Sequence, residues 1–155
     1  MRKMYKIIKI KNDENNLKKL AEDLLYNVLW APYNISREKT REIFEITRPD
    51  NHFFIAIKEA DLDILGCIVI NLESFNLEIK HLAVKTQFQG INVGKSLVNR
   101  VLNEIPDKIA HVIARNTSSI FWEKLGFRSC GEWIKHPLFI EHGIIFKKYC
   151  YYPHI

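Results

Sequence analysis

The sequence has no long uninterrupted apolar stretch and contains little glycine, proline or cysteine. A membrane-spanning helix needs roughly 20 apolar residues, and no run in the 155 residues approaches that length. The six glycines and five prolines argue against a low-complexity or linker-rich chain. The first ten residues lack an apolar core and a cleavage site, so we interpret them as mature chain. We therefore expect a cytoplasmic globular protein without a membrane partner.

The three cysteines, Cys67, Cys130 and Cys150, are odd in number and widely spaced, and no C-x-x-C motif occurs. This spacing matches neither a disulfide framework nor a zinc site. We expect reduced, mostly buried thiols and no covalent cysteine intermediate. The six histidines show no zinc-ligand spacing, so we also predict that no metal is bound.

The excess of positive charge lies in the second half of the chain. Residues 1–75 contain 12 Lys+Arg and 12 Asp+Glu, so the remaining 11 and 6 of the totals 23 and 18 give residues 76–155 the whole net charge of +5. A basic half can attract nucleic acid or an anionic ligand, or it can be a solvated surface. No more than two basic residues are consecutive, which disfavours nucleic acid. We predict no nucleic-acid partner.

Hydrophobic periodicity predicts one mixed α/β domain over residues 1–155. Short apolar runs such as "YKIIKI", "HFFIAIK" and "ILGCIVINL" are typical of strands. Apolar residues between Leu17 and Leu29 follow the 3.6-residue period of an amphipathic helix, and Ser36 can cap a second helix that runs to about Glu45. The predicted order is β-α-α-β-β-β-α-β-α-β-β, which indicates a largely antiparallel sheet flanked by helices.

The second half of the chain supplies the later elements of that order. "NLEIKHLAV" predicts a strand, and the helix that follows ends before Pro106. "KIAHVIA" predicts another strand, and "SSIFWEKL" predicts a helix closed by Gly126, a residue suited to the left-handed position after a helix. "RSCGEWIK" and "GIIFKKYCYY" predict the last two strands.

The segment "HLAVKTQFQGINVGKSLVNRVL" leads from a strand through a polar turn into an amphipathic helix. Main-chain amides at such a helix start can bind phosphate. The segment is not a P-loop, because the position of the first glycine holds Gln89, and the Rossmann G-x-G-x-x-G is absent. The residues therefore indicate an anion-binding turn, or simply a turn that needs Gly90 and Gly94.

Three segments between Ile64 and Phe127 resemble the GNAT superfamily of acyl-CoA-dependent N-acetyltransferases. "QGINVG" (Gln89–Gly94), after the strand "EIKHLAV", is similar to the family signature Q/R-x-x-G-x-G/A, and "NTSSIFWEKLGF" (116–127) is similar to the family's "N…YeklGF". The resemblance implies the GNAT fold, acetyl-CoA (coenzyme A) as co-substrate and transfer of its acetyl group to an amine. Relatives often form homodimers, so a homodimer is also possible here.

The resemblance assigns the cofactor to two segments of the chain. Amides at the turn would bind the pyrophosphate, the strand before it would pair with the pantetheine arm, and Asn116 would help to hold that arm. The implied cofactor contacts are Leu82, Ala83, Val84, Gln89, Gly90, Ile91, Asn92, Val93, Gly94, Lys95, Asn116, Phe121 and Trp122.

The sequence departs from the family pattern at two positions. Asn92 replaces a central glycine, and asparagine tolerates a left-handed backbone better than other non-glycine residues. Trp122 replaces the tyrosine that many relatives use as general acid, and an indole N–H cannot protonate a thiolate at neutral pH. Tyr149, Tyr151 and Tyr152 are candidate replacements. This departure leaves open an alternative function, a CoA-binding sensor or regulatory module on the same fold.

Acetyl transfer to an amine needs a base, because a lysine-like amine with a pKa of about 10.4 is mostly charged at pH 7. By resemblance Glu78 is the catalytic glutamate, although it could be a solvated strand carboxylate. His81 is the second candidate base, or a structural histidine. The backbone N–H of Leu82 is the implied donor to the developing oxyanion.

The acceptor site is assigned by resemblance to the segment around Trp30 and Tyr33 and to the last hairpin, which carries Trp133. These aromatic side chains could line an apolar wall or belong to the core. The three glutamates of residues 38–45 lie at helical spacings and could attract a cationic amine, or could be a solvated face. The acceptor is expected to be a small-molecule amine or an amine of a peptide or protein.

Overall fold

The computed structural model describes residues 4–153, and its elements follow the predicted order. Within these residues the chain forms seven strands and four α-helices: β1 (Tyr5–Lys9), α1 (Asn15–Leu25), α2 (Arg37–Ile43), β2 (His52–Lys58), β3 (Ile64–Leu72), β4 (Asn76–Val84), α3 (Val93–Glu104), β5 (Ile109–Arg115), α4 (Ser119–Lys124), β6 (Arg128–Ser129) and β7 (Phe146–Tyr151). The strands hydrogen-bond in the order β1-β2-β3-β4-β5-β7-β6, mostly antiparallel. The predicted mixed α/β fold is confirmed.

The chain divides into two compact units. The first comprises the chain up to Ile70 together with His81–Glu104, and the second comprises Asn71–Lys80 and the chain from Ile105 onward. Strand β4 therefore begins in the second unit and ends in the first. Across residues 4–153 no helix combines the length and the apolar character that crossing a membrane requires.

Strands β2 and β3 form the core of the first unit. Phe53–Ile57 and Ile64–Ile70 are buried without a break, as expected for strands covered on both faces. β2 pairs antiparallel with β1 and with β3, and helices α1 and α3 both pack against β2. The continuous apolar runs in the sequence thus correspond to the most buried strands.

Gly66 in β3 allows helix α3 to lie close to the sheet. A Cβ at this position would lie 3.0 Å from Cγ1 of Val93, 3.1 Å from Cδ1 of Leu97 and 3.2 Å from the carbonyl oxygen of Ala83. A side chain at position 66 would therefore push against the first two turns of α3, because a close-packed interior leaves no room for it.

The first helix continues beyond α1 in a different geometry. Tyr26–Trp30 is a π-helical turn and Ala31–Tyr33 is a 3₁₀ turn that contains Pro32. A π turn shifts side chains out of the α-helical register, and here it ends with Trp30, of which only 2% is exposed. The prediction that Pro32 ends this helical segment agrees with the structure, since helix α2 begins only at Arg37. Ser36 caps α2 as predicted, with its Oγ accepting a hydrogen bond from the Lys39 N–H at 3.2 Å.

The second unit is built on β5 and β7. Asn76–Ile79 of β4 pair parallel with β5, and β7 pairs antiparallel with both β5 and β6. Helix α4 packs on β5 and ends at Lys124. Gly126, two residues later, has a left-handed φ of 93° as predicted. The Phe127 N–H then donates to the Trp122 carbonyl at 3.1 Å.

The strand predicted from "RSCGEWIK" is shorter than expected. Only Arg128–Ser129 pair with β7 as a strand, followed by one hydrogen bond from the Cys130 N–H to the Lys148 carbonyl. Gly131 follows, and the chain returns to β7 only in an isolated bridge between Ile134 and Phe146. A glycine inside an apparent strand weakens the pairing because it has no side chain to pack.

The prediction that all three cysteines are reduced is wrong for two of them. Cys130 and Cys150 form a disulfide with Cα atoms 6.2 Å apart, a separation that disulfides allow. Pairing of β6 with β7 brings them together, since Cys150 lies opposite Arg128 in the register. Cys67 is a free cysteine and is buried, and burial raises the pKa of its thiol, which makes it unreactive.

We predict that Gly66→Ala lowers the free energy of unfolding by about 1–3 kcal/mol, the usual cost of overpacking a core. Denaturant unfolding measures the change. Gly131→Ala is the control, because the nearest atom to its new Cβ is the Lys148 Cβ at 3.6 Å, and it should change stability by less than about 0.5 kcal/mol. Equal stability of both variants would show that position 66 has room for a side chain.

We also predict that reduction of the disulfide lowers the free energy of unfolding by about 2–4 kcal/mol, because the bond closes a loop with a sequence separation of 20. Unfolding with and without a thiol reductant measures this. Without reductant, the Cys130→Ser variant should have the same free energy of unfolding as the reduced wild-type protein. Adding the reductant should not change it further. A wild-type protein equally stable in both conditions would contradict the prediction.

Candidate active site

The turn between β4 and α3 presents main-chain amides at a helix start. Gly90 and Asn92 both have left-handed backbones, with φ of 89° and 69°. The Ser96 N–H donates to the Asn92 carbonyl at 2.9 Å. The amides of residues 93–95 therefore precede the first amide that bonds within the helix, and they point out of its end. The expectation that Asn92 tolerates a left-handed backbone is confirmed.

The surroundings of these amides favour a negatively charged ligand. The start of a helix carries about half a positive elementary charge, and Lys95 is exposed on the first turn of α3. No atom lies within 4 Å of the position that a Cβ of Gly90 would occupy, so the turn is open on that side. Lys85 is less available, because its Nζ lies 2.9 Å from both carboxylate oxygens of Asp63.

Gln89 ties this turn to the end of β4. Its Nε2 donates to the Val84 carbonyl at 3.0 Å, and its N–H donates to the Thr86 carbonyl at 3.3 Å. Within the same strand end Ala83 is buried, whereas Leu82 and Val84 are partly exposed. The predicted cofactor residues of β4 and of the turn therefore form one continuous segment of the first unit.

His81 and Trp30 meet in an aromatic cluster of the first unit. The Trp30 and Phe44 rings stack with centroids 4.9 Å apart, and the His81 ring stands edge-on at 5.1 Å from Trp30. The His81 Nε2 lies 3.2 Å from the Phe44 carbonyl oxygen, so this nitrogen carries a hydrogen and donates it. These contacts support core packing for Trp30 and a structural role for His81, the two alternatives that the sequence left open.

The remaining residues of the predicted acceptor segment are more exposed. Tyr33 is half-buried, and Glu38 and Glu42 are exposed. The carboxylate of Glu45 forms an ion pair with Arg48 at 2.7 Å. Glu45 lies beyond the end of α2 and has a left-handed backbone, so, contrary to expectation, the three glutamates do not share one helix face. The charge of Glu45 is partly neutralised by Arg48.

Glu78 lies on β4 in the second unit and is half-buried. Its carboxylate has no hydrogen-bond or ion-pair partner among residues 4–153. The parallel register places it beside His111 of β5, whose Nε2 lies 3.6 Å from a carboxylate oxygen of Glu73. The His111 Nδ1 is buried and also lacks a partner in the part of the chain that the structure describes. An unpaired carboxylate is available to accept a proton.

Asn116 binds the segment that precedes β7. Its N–H donates to the Ile145 carbonyl at 2.8 Å, its Oδ1 accepts from the Ile145 N–H at 3.3 Å, and its Nδ2 donates to the Gly143 carbonyl at 3.2 Å. One Nδ2 hydrogen and one lone pair of Oδ1 remain for other partners. The hydrogen bonds of Asn116 therefore stabilise the second unit.

Trp122 is packed rather than presented to solvent. Only 3% of it is exposed, and its ring contacts Phe121 and Phe127, each with centroids 5.0 Å away. Of the tyrosines considered as substitutes for the tyrosine that many relatives have at this position, Tyr149 is buried and Tyr152 is exposed. The position that many relatives fill with an acid is thus a packing position in this chain.

Sequence reasoning did not identify two residues that position the turn. Gly66 of β3 makes room for α3, and the hydroxyl of Tyr5 on β1 lies 2.9 Å from the Ser96 Oγ. Tyr5 and Ser96 are 91 residues apart, so no local pattern could link them. Among residues 4–153 no three His, Cys, Asp or Glu side chains group as metal ligands would.

Comparison with known proteins gives a family for this fold and site. A family model described as acetyltransferase (GNAT) domain matches residues 26–149. A comparison with curated protein sequences found no significant match. The structure is similar to an aminoglycoside 6'-N-acetyltransferase complexed with coenzyme A, with a TM-score of 0.72 and 16% identity over 94% of this chain and 95% of that chain.

Two bacterial structures are similar over nearly their whole length. A GNAT-family acetyltransferase from Staphylococcus aureus Mu50 has a TM-score of 0.72 and 16% identity, over 95% of this chain and 98% of that chain. One from Elizabethkingia anophelis with acetyl-CoA bound has a TM-score of 0.70 and 18% identity, over 97% and 99%. At these identities the likeness shows the fold. Because the family model spans most of its length, the chain belongs to the GNAT family of acetyltransferases, which are acyl-CoA-dependent N-acyltransferases.

Proposed function

We propose that this protein transfers an acetyl group from acetyl-CoA directly to a primary amine of a small molecule or peptide, with both substrates bound together. The observation that carries the proposal is the set of outward amides of residues 93–95, after a turn with two left-handed residues. In a GNAT-family chain this is the place for the cofactor diphosphate, and two of the similar structures contain coenzyme A or acetyl-CoA.

The diphosphate suits this helix start for physical reasons. Three main-chain amides, the positive end of the helix and the exposed Lys95 all favour an anion. Gly90 leaves open space beside the turn, and the Gln89 side chain holds the turn against β4 instead of occupying that space. The residues present therefore fit the group that they are proposed to bind.

The pantetheine arm is proposed to run along the end of β4. Its amides would pair with main-chain groups of Leu82–Val84, as an added strand does. The backbone N–H of Leu82 would donate to the oxygen of the thioester carbonyl as negative charge develops there. The remaining Nδ2 hydrogen of Asn116 is the group by which that side chain would contact the arm.

Glu78 is the proposed base. A cationic amine loses a proton to its carboxylate, directly or through water, and the neutral nitrogen attacks the thioester carbon. The nitrogen of the tetrahedral intermediate gives up a second proton to water, the intermediate collapses and the C–S bond breaks. Coenzyme A leaves as a thiolate, which takes a proton from water or from an exposed tyrosine such as Tyr152. His81 is a weaker candidate, since its Nε2 is engaged with the Phe44 carbonyl.

A second candidate function is a CoA-binding sensor, favoured by the burial of Trp122 at the position of the usual acid. The two functions differ in turnover. We expect free thiol to be released from acetyl-CoA when a panel of primary amines is offered. Tight binding of acetyl-CoA without thiol release for any amine would favour the sensor. A homodimer and a cytoplasmic location stay predictions of the sequence.

We predict that coenzyme A binds to the wild-type protein and that Gly94→Val weakens this binding at least about 10-fold. Gly94 is the second residue of α3 and is buried, so a branched side chain would disturb the amides that are proposed to face the diphosphate. Isothermal titration calorimetry measures the affinity.

The control for this variant is Asn99→Val, which places the same side chain at an exposed position of the same helix. It should bind coenzyme A with nearly wild-type affinity. Unchanged affinity in Gly94→Val would place the diphosphate elsewhere. A wild-type protein that binds neither coenzyme A nor acetyl-CoA would overturn the proposed function.

We predict that Glu78→Gln lowers the turnover rate at neutral pH by about 10²–10⁴-fold, the usual contribution of a general base. The affinity for coenzyme A should change little, and the rate should recover as rising pH deprotonates the amine itself. Thiol release measures the rate. Glu73→Gln is the control, because this carboxylate lies in the turn between β3 and β4 and is about half exposed. A Glu78→Gln enzyme as fast as wild type would remove Glu78 from its role.

A further inference from the structure

The hydroxyl of Tyr5 bridges two groups in the first turn of α3. It lies 2.9 Å from the Ser96 Oγ and donates to the Asn92 carbonyl oxygen at 3.4 Å. Tyr5 is on strand β1 and is buried, whereas Asn92 is exposed, so the two bonds are partly buried. The side chain thus reaches from the edge of the sheet to the turn that is proposed to bind the diphosphate.

The two bonds form a closed arrangement at the helix start. The Tyr5 O–H donates to the Asn92 carbonyl, which also accepts the Ser96 N–H at 2.9 Å. Because the single Tyr5 hydroxyl hydrogen is used there, we assign the Ser96 O–H as the donor to the Tyr5 oxygen. In this arrangement each of the two hydroxyls donates one hydrogen bond, and the carbonyl oxygen accepts two. Tyr5 therefore holds the residue before α3 and a residue of its first turn in one fixed relation.

This relation matters because the backbone of Asn92 is left-handed, with a φ of 69°. Such a conformation costs most non-glycine residues about 1–2 kcal/mol, and asparagine less. The conformation at Asn92 sets the direction of the amides that follow it. A carbonyl held by a buried hydroxyl restricts the rotation that would relieve the strain and turn these amides away.

The rest of α3 is held independently of Tyr5. The Arg100 Nη1 donates to the Ile7 carbonyl at 2.9 Å, and the Arg100 guanidinium lies 5.7 Å from the ring centre of Phe54. Val93 and Leu97 pack over Gly66. Removal of the Tyr5 hydroxyl should therefore loosen the first turn without displacing the helix.

We infer that Tyr5 is a positioning residue for the diphosphate of coenzyme A, acting through Asn92 and Ser96 on the amides of residues 93–95. The inference rests on the proposed function, since it presupposes that these amides bind the diphosphate. Tyr5 lies outside the family signature, on strand β1, and would influence the affinity of the signature turn for coenzyme A.

The test compares Tyr5→Phe with Tyr26→Phe. Both variants lose one tyrosine hydroxyl in the first unit, and the hydroxyl of Tyr26 donates to the Ile35 carbonyl at 2.7 Å, away from α3. Calorimetry should show coenzyme A binding weakened about 3- to 10-fold in Tyr5→Phe, because ligand binding must then fix a turn that the hydroxyl no longer holds, a cost on the order of one net hydrogen bond. Tyr26→Phe should bind within about 2-fold of wild type, because its lost bond does not touch the turn.

A second ligand separates positioning of the amides from general loosening of the protein. Pantetheine has the same arm without phosphates, and its binding, followed by NMR titration, should be equal in wild type and Tyr5→Phe. Ser96→Ala should weaken coenzyme A binding less than Tyr5→Phe, since the bond to Asn92 remains. The double variant should be no weaker than Tyr5→Phe alone, because the same arrangement is already lost.

Each result decides a different point. If wild type binds coenzyme A and Tyr5→Phe binds it equally well, the inference is overturned and the proposed function stands. Equal weakening of coenzyme A and pantetheine would also overturn it, because the effect would not depend on the phosphates. If wild type does not bind coenzyme A, both the proposed function and the inference fail.

Discussion

The site depends on one constraint, a left-handed residue directly before helix α3 that turns three main-chain amides outward. Asn92 provides this conformation at an energetic cost that the surrounding contacts must offset. Gly66 allows α3 to pack closely on β3, and the hydroxyl of Tyr5 on β1 forms hydrogen bonds with the turn and with the first turn of α3. The conformation of the signature turn therefore depends on residues of other strands.

In the second unit, residues of a motif-like segment are likewise held by contacts with the rest of the unit. Trp122 and Asn116 lie in a segment that resembles the family motif, yet both make contacts that stabilise their own unit. Trp122 packs in an aromatic cluster with Phe121 and Phe127. Asn116 forms hydrogen bonds with the segment before β7. A motif position can keep its structural role while its chemical group changes.

The elements were predictable from sequence where one local property decides them. Continuous apolar runs marked β2 and β3, Ser36 marked the start of α2, and Gly126 marked the end of α4. The prediction was less accurate where long-range pairing decides. β6 is short because Gly131 follows it, and the disulfide of Cys150 depends on the register of β6 against β7.

The sequence by itself determined the order of elements, the family and the turn that carries the amides, because these follow from periodicity and from short motifs. Only the tertiary structure decided which side chains support that turn and which are buried. Tyr5 and Ser96 are 91 residues apart, and Trp30 enters the core beside His81 through a π turn. Such contacts arise from the packing of helices on a sheet, and no local pattern in a chain specifies them.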